Sequence, residues 1–546
     1  MNNQNQNLYS GSAATPVAIP VPQPAPIRPE LGTEKGGEGG SDTAPSAAPP
    51  SPPLAPPSPT LPAGSDVYTP APAENVVLRA LKEKGLYLST VNAGVHELSC
   101  PWTDDHSQEA PPAIYREPYP TAALGTFRCP YPHELQPRIG DLLDHLGVPA
   151  AYARGKPMIR LVAGELGRVA EAAEMALASS GDHYEAGGVI VSISVDQTCG
   201  DVKTVPLSEQ ALTKALSNGA DFFWINQSGG WTRTDPPARV IQLVHKGQSY
   251  DHLPKLNGLA RQPYFRRQDW RLVSAPGYDP GTGIYGMFDP AEFPLPEPTE
   301  SAAREALAGL KALVEEFHFN SPADRSAALC AMLTAAIRSS LPVAPAFSIS
   351  ASAPGSGKSY LGSLLAPFAG PGEPSNVSYP TSSEEATKLV TSTMLTKPAV
   401  VLFDDMQTDW LPHSALNRML TSEAVTERML GSNKMVTVST ASLIVGTGNN
   451  ISPVRDMSRR VVTISLVPKT ASPATLAYKG NPVAVVRGDR GKYVAMALTI
   501  VRAWEAAGRP KADVLPIASF GEWSDRCRQP LLWLGNPILL KACSIN

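Results

Sequence analysis

The apolar run Phe347-Ser348-Ile349-Ser350-Ala351 leads directly into Ser352-Ala353-Pro354-Gly355-Ser356-Gly357-Lys358-Ser359, and this handover restricts the possible folds more than any other segment. A strand ending in a glycine loop that opens a helix needs a sheet edge on one side and a helix N-terminus on the other. Gly355 and Gly357 let the backbone turn its N–H groups inward, Lys358 brings a point charge, and Ser359 brings a hydroxyl for a divalent cation. The pattern predicts a phosphate cradle for ATP and Mg²⁺ built from Pro354, Gly355, Ser356, Gly357, Lys358 and Ser359. Ser352 stands where the usual pattern opens on glycine.

Two further strands fit the same chemistry. Ala399-Val400-Val401-Leu402-Phe403 ends in Asp404-Asp405, and paired carboxylates at a strand tip suit a metal-holding, water-polarising edge. Asp404 is expected to hold Mg²⁺ and Asp405 to orient the attacking water. Ser442-Leu443-Ile444-Val445-Gly446-Thr447-Gly448 is tipped by Asn449-Asn450, amides able to sense a γ-phosphate. Taken singly, an acidic turn or an Asn turn is common; the series is not. Lys358 and Asp404 are 46 residues apart, and Asp404 and Asn449 are 45 apart, spacings that suit helical crossovers in one parallel sheet. Soon afterwards Ser458-Arg459-Arg460 opens the strand Val461-Val462-Thr463-Ile464, where an arginine could reach the γ-phosphate of a neighbouring subunit.

With Leu420-Thr421-Ser422 and Glu427-Arg428-Met429-Leu430-Gly431 between the acidic and asparagine strands, the series resembles superfamily 3 helicases of the AAA+ class. More narrowly, it is similar to the primase-helicase-like ATPases of bacterial plasmids, phages and integrative elements. The resemblance is strong over residues 300 to 470 and looser from about 95 onward. It implies a ring, a homo-hexamer or similar, that moves on single-stranded DNA at the expense of ATP alongside other replication proteins. On this resemblance Lys358 and Ser359 are the phosphate-loop pair, Asp404 and Asp405 the acidic pair, Asn449 or Asn450 the sensor, and Arg460, favoured over Arg459, the arginine finger. The family also carries a DNA-gripping hairpin between the acidic and sensor strands. The matching stretch is Arg428 to Val438, with Lys434, then Arg428, expected on phosphates in the pore.

Composition bounds the rest. A net charge of −4 gives no global nucleic-acid signature, so DNA contact has to come from local patches or a ring lumen. No run of about 18 apolar residues exists to span a membrane. The polar start Met1 to Ser10 does not read as a secretory signal, and six scattered cysteines suit a reducing, cytoplasmic setting.

The expected architecture is multidomain α/β. Residues 1–73, rich in Pro, Ala, Gly and Ser, read as a disordered tail. Residues 74–150 read as a small module in which Cys100, His106, Cys129 and His133 suit tetrahedral zinc. That arrangement resembles the zinc ribbon at the front of bacterial and phage primases, although Tyr131 and Glu134 stand where relatives often carry another ligand. The other reading is two buried cysteines beside exposed histidines. Residues 151–296 read as a mixed α+β accessory domain, in which Phe265-Arg266-Arg267-Gln268-Asp269-Trp270-Arg271 is either a nucleic-acid clamp or, preferably, aromatic packing beside surface arginines. Residues 297–470 form the P-loop AAA+ parallel-sheet core with two helices in front, and 471–546 a C-terminal helical region. Its final residues, Lys541 to Asn546, are out of character with the family, as in a truncated or frameshifted terminus.

The leading expectation is therefore an ATP-driven DNA helicase or translocase that replicates a mobile element. The alternative is a nucleotide-switched remodelling or initiator-loading protein without strand separation.

Overall fold

The computed structural model describes residues 67–69, 75–102, 111–118, 122, 124–130, 133, 136–148, 153, 155–227, 230–247, 249–428, 435–467 and 479–537. Most of the tail expected over 1–73 lies outside the described residues, as do His106, Lys434 and the terminus from 538. The tail reading nevertheless ran too far. Val67 is buried, and β1 (Tyr68–Thr69) is paired antiparallel with β6 (Met158–Leu161), because this short apolar stretch finds a helix-covered sheet to complete.

Between those two strands sits the small module. Asn75 caps α1 (Val76–Glu83) by accepting from the Val77 and Leu78 amides. Strands β2 (Tyr87–Asn92), β3 (Val95–Leu98), β4 (Ala113–Arg116) and β5 (Thr126–Arg128) then form an antiparallel meander. It is closed by α2 (Ile139–Leu146), which ends on a left-handed Gly147. Leu81, Leu98, Tyr115 and Leu142 make its core. The module is thus an insertion between two neighbouring strands of a different sheet.

That second sheet has the order β1-β6-β10-β11, with β10 (Asp221–Ile225) parallel to β6 and paired antiparallel with β11 (Trp231–Thr234). Helices α3 (Leu166–Ser179), α4 (Glu209–Gly219) and α5 (Ala238–His245) cover one face through Val169, Ala173, Leu212, Leu216 and Val240. Between α3 and α4 run β7 (His183–Ala186), β8 (Val189–Val195) and β9 (Val202–Pro206), an antiparallel sheet that packs Ile190 against the helices. It buries Tyr184, Ala186, Val189 and Val191 against the C-terminal half of the chain. Short strands β12 (Gly258–Ala260), β13 (Tyr264–Phe265), β14 (Leu272–Val273), β15 (Gly277–Asp279) and β16 (Ile284–Gly286) bridge to the main domain.

The main domain is a five-stranded, wholly parallel sheet. Two capped helices precede it, α6 (Glu300–Leu313) and α7 (Pro322–Ile337), the second buried around most of its circumference. Then follow β17 (Ala346–Ala351), α8 (Lys358–Ala369), β18 (Ser375–Asn376), α9 (Ser383–Leu395), β19 (Val400–Met406) and α10 (Ser414–Thr421). An antiparallel hairpin of β20 (Ala424–Arg428) and β21 (Met435–Ser439) intervenes before β22 (Leu443–Asn449) and β23 (Val461–Leu466). The strand order is β18-β19-β22-β17-β23. Helices and sheets cover both of its faces, which is why its strands read as near-continuous apolar runs rather than alternating ones. α11 (Pro482–Gly488) and the buried helix α12 (Arg490–Ala506) complete the described C-terminal part with the segment Gly521–Trp533. Among the described residues, no helix is long and apolar enough to cross a membrane.

Candidate functional site

Parallel strands share a direction, so the sheet brings the carboxyl ends of β17, β19 and β22 to one edge. Leaving β17, the chain turns through Gly355 and Gly357 at φ of 71° and 84°, a backbone region that side chains disfavour, and enters α8 at Lys358. Pro354 leads into the loop, and the Ser356 hydroxyl donates to the Ala353 carbonyl at 2.6 Å, bracing it from inside. Lys358, 8% exposed, crosses to the next strand tip and donates to Asn449 Oδ1 at 2.7 Å. The Ser359 hydroxyl donates to Asp404 Oδ1 at 2.8 Å. Four residues from three distant strand tips, expected to act on one phosphate group, are therefore already paired through their side chains.

Burial pulls the Lys358 ammonium below its usual value, and the nearby Asp405 and Asp404 carboxylates oppose that pull. Asp405 itself sits at φ 49°, a strained conformation at the β19 tip, where its amide donates to Thr447 Oγ1 at 3.2 Å. Thr447 is the residue that sequence reading missed: its hydroxyl donates to Asp404 Oδ1 at 2.5 Å, so it orients both aspartates from β22. The available signal was a polar side chain inside an otherwise apolar strand, and it is fully buried. Asn450, the other sensor candidate, also has positive φ and uses its amide on the Ala351 carbonyl, which ties the β22 tip to the glycine loop.

The two arginines before β23 behave differently from one another. Arg460 is 8% exposed and turns onto its own chain, with an ion pair to Asp456 Oδ2 at 2.5 Å and a donation to the Asp456 carbonyl. Its Nε has no hydrogen-bond partner among the described residues. Arg459 is half exposed and also pairs with Asp456, at 2.6 Å. Arg428 lies at the exposed end of the hairpin, opposite Met435, while the turn that carries Lys434 is outside the described residues.

In the small module, Cys100 follows β3, Cys129 follows β5, and His133 lies four residues further on. Their ligand atoms lie within 4.8 Å of one another, with Cys100 Sγ and His133 Nε2 at 3.6 Å. Both cysteines are buried, and burial, with the neighbouring Cys129, pushes the Cys100 thiol up to about 11. Two thiols and an imidazole on two loops are a donor set that fits three positions of a tetrahedral zinc site. A metal ion would overturn the thiol's preference for its proton.

The Phe265-to-Arg271 segment proves to be packing. Trp270 is buried, stacked on Phe265 at 4.9 Å and capped by the Arg526 guanidinium 3.9 Å from its ring centre, and Arg266 and Arg267 are bound to Asp279 and Glu423.

Fold and site together define a mixed α/β protein whose parallel sheet presents a glycine loop, a lysine, an acidic pair and an asparagine along one edge. No protein-family model matches the chain, and no curated protein matches it either. Among solved structures, the chain is similar to the NrS-1 C-terminal region at 11% identity and TM-score 0.28, over 56% of this chain and 66% of that one. JCV helicase gives 16% identity and TM-score 0.22 over 43% and 59%, and the active helicase Cch of SCCmec type IV gives 12% and 0.27 over 66% and 75%.

Proposed function

We propose that the chain is an ATP-dependent DNA translocase or helicase of the superfamily 3, AAA+ kind, acting as a ring in the replication of a mobile element. The observation that carries this reading is the convergence at one sheet edge. β22 lies between β17 and β19, so Asn449 stands between the lysine and the aspartates, and Lys358–Asn449 and Ser359–Asp404 close the set.

In this reading the glycine loop and the N-terminus of α8 bind the ATP phosphates through backbone N–H groups, and Lys358 moves from Asn449 onto their outer oxygens. Ser359 and Asp404 would hold Mg²⁺, which supplies charge neutralisation to the phosphates when bound. Asp405 accepts the proton of, or orients, the attacking water, and Asn449, relieved of Lys358, senses the terminal phosphate. Arg460 serves the neighbouring subunit's nucleotide after release from Asp456. The hairpin, with Arg428 and Lys434, touches DNA phosphates in the pore. Cys100, Cys129 and His133 would hold zinc, with His106 the fourth ligand the sequence offers, and the ion would cross-link the loops of the small module.

The deciding experiment is ATP hydrolysis with and without single-stranded DNA, beside Lys358→Ala and Arg460→Ala. Stimulation by DNA that both substitutions abolish supports the translocase. Turnover indifferent to DNA moves the assignment to a nucleotide-switched remodelling ATPase, and no turnover at all sinks both.

A further inference from the structure

Among the described residues, helices α3, α4 and α5 pack on one face of the sheet β1-β6-β10-β11. Residues directly opposite in the pairing share a face, so Ile159 and Phe222, both buried under the helices, fix which side is covered. On the other side the register sets Arg160, Phe223 and Arg233 in one row across three strands, with Ile225 beside Trp231 in the next. Ile225 is 51% and Trp231 43% exposed. The Arg160 guanidinium reaches over the Trp231 ring at 5.7 Å from its centre. Among the described residues of these four strands the face has one carboxylate, Asp221, which is buried and neutralised by Arg233 at 2.8 Å.

Apolar residues alone would suit a protein partner. Alternating guanidinium groups and rings on a flat sheet suit a strand of unpaired bases, because each base has a face to stack and each phosphate a charge to meet. With a whole-chain charge of −4, a local surface of this kind is what nucleic-acid contact requires. We propose that this face binds single-stranded DNA, with bases stacking on Trp231 and Phe223 and the backbone running past Arg160. The choice of DNA rests on the translocase reading; the stacking face does not depend on hydrolysis.

The test titrates the full chain, without nucleotide, into a dye-labelled thymidine oligonucleotide and follows anisotropy. Trp231→Ala and Ile225→Glu are expected to weaken binding about tenfold, whereas Trp231→Phe, which keeps a ring, stays within about threefold of the parent. Melting temperatures report whether each variant folds. The proposal is overturned if the parent does not bind, if the Ala and Glu variants bind like the parent, or if they alter self-association in sedimentation while leaving DNA binding intact. Tighter binding of a uridine oligoribonucleotide overturns the choice of DNA. Absence of ATP turnover leaves this titration standing, so the two readings fail separately.

Discussion

At the residue scale the site is a set of side chains that hold one another across three strand tips. Lys358 donates to Asn449, and Ser359 and Thr447 both donate to Asp404; Lys358 and Thr447 are buried, whereas Ser359, Asp404 and Asn449 stay exposed at the strand tips. Asn449→Ala should therefore lower kcat by roughly 10²-fold with little change in KM, the pattern for a group used in the transition state rather than in binding. Steady-state kinetics decide it, and an equal rise in KM would assign Asn449 to nucleotide binding instead. A second residue, Lys397, lines a cavity with Glu185, Arg267 and Glu423, and burial pushes its ammonium down to about 8 from 10.5 despite the Glu185 charge. Between those values the unfolded chain binds the extra proton, so stability rises with pH across that window, and below pH 8 the burial penalty acts in full. Lys397→Met should remove that slope and raise stability at pH 7 by on the order of 2 kcal/mol. Denaturant melts at pH 7, 8 and 10 check both.

Two elements carry predictions of their own. The turn between β7 and β8 is docked on the hairpin, with the Thr437 amide donating to the Gly187 carbonyl at 3.0 Å. A Cβ on Gly187 would lie 1.7 Å from the Thr437 oxygen, at φ +62°. Gly187→Ala must push the accessory sheet off β21, costing about 2 kcal/mol or more. Faster amide exchange along β21 would accompany it, and unchanged protection there would refute the coupling. The small module has a core of little more than α1, α2 and four short strands, a size at which a metal staple matters. Chelation or Cys129→Ser should lower its melting transition by about 10 °C or more while the main domain melts as before. Stoichiometric zinc in the purified protein, lost in the variant, is the companion measurement.

For the whole molecule, the question is where the arginine of each site comes from. Within one chain Arg460 is bound to Asp456, and among the described residues no arginine bonds to Lys358, Asp404 or Asn449. If the ring supplies it, Lys358→Ala and Arg460→Ala are each inactive alone, but mixed subunits form some interfaces with both residues intact. Random mixing in equal amounts should restore about a quarter of the wild-type turnover. Mixtures that stay inactive would mean that arginine and lysine act within one subunit or that no ring forms.

The strand tips were legible in the sequence because their chemistry is local. A glycine loop before a helix needs left-handed backbone at fixed positions, and an all-buried parallel strand needs an unbroken apolar run, so Gly355, Gly357 and the runs ending at Asp404 and Asn449 announce themselves. The spacing between them sufficed to predict one sheet. Only the tertiary structure decided that Thr447 orients the aspartates, that Asp456 holds Arg460, and that Cys100, Cys129 and His133 converge. It also decided that β1 rejoins β6 across the inserted module, and that the arginine-and-aromatic face lies opposite the helices. Those outcomes depend on partners distant in sequence, and residue type and spacing specify backbone geometry along the chain but not which distant surfaces are left to meet.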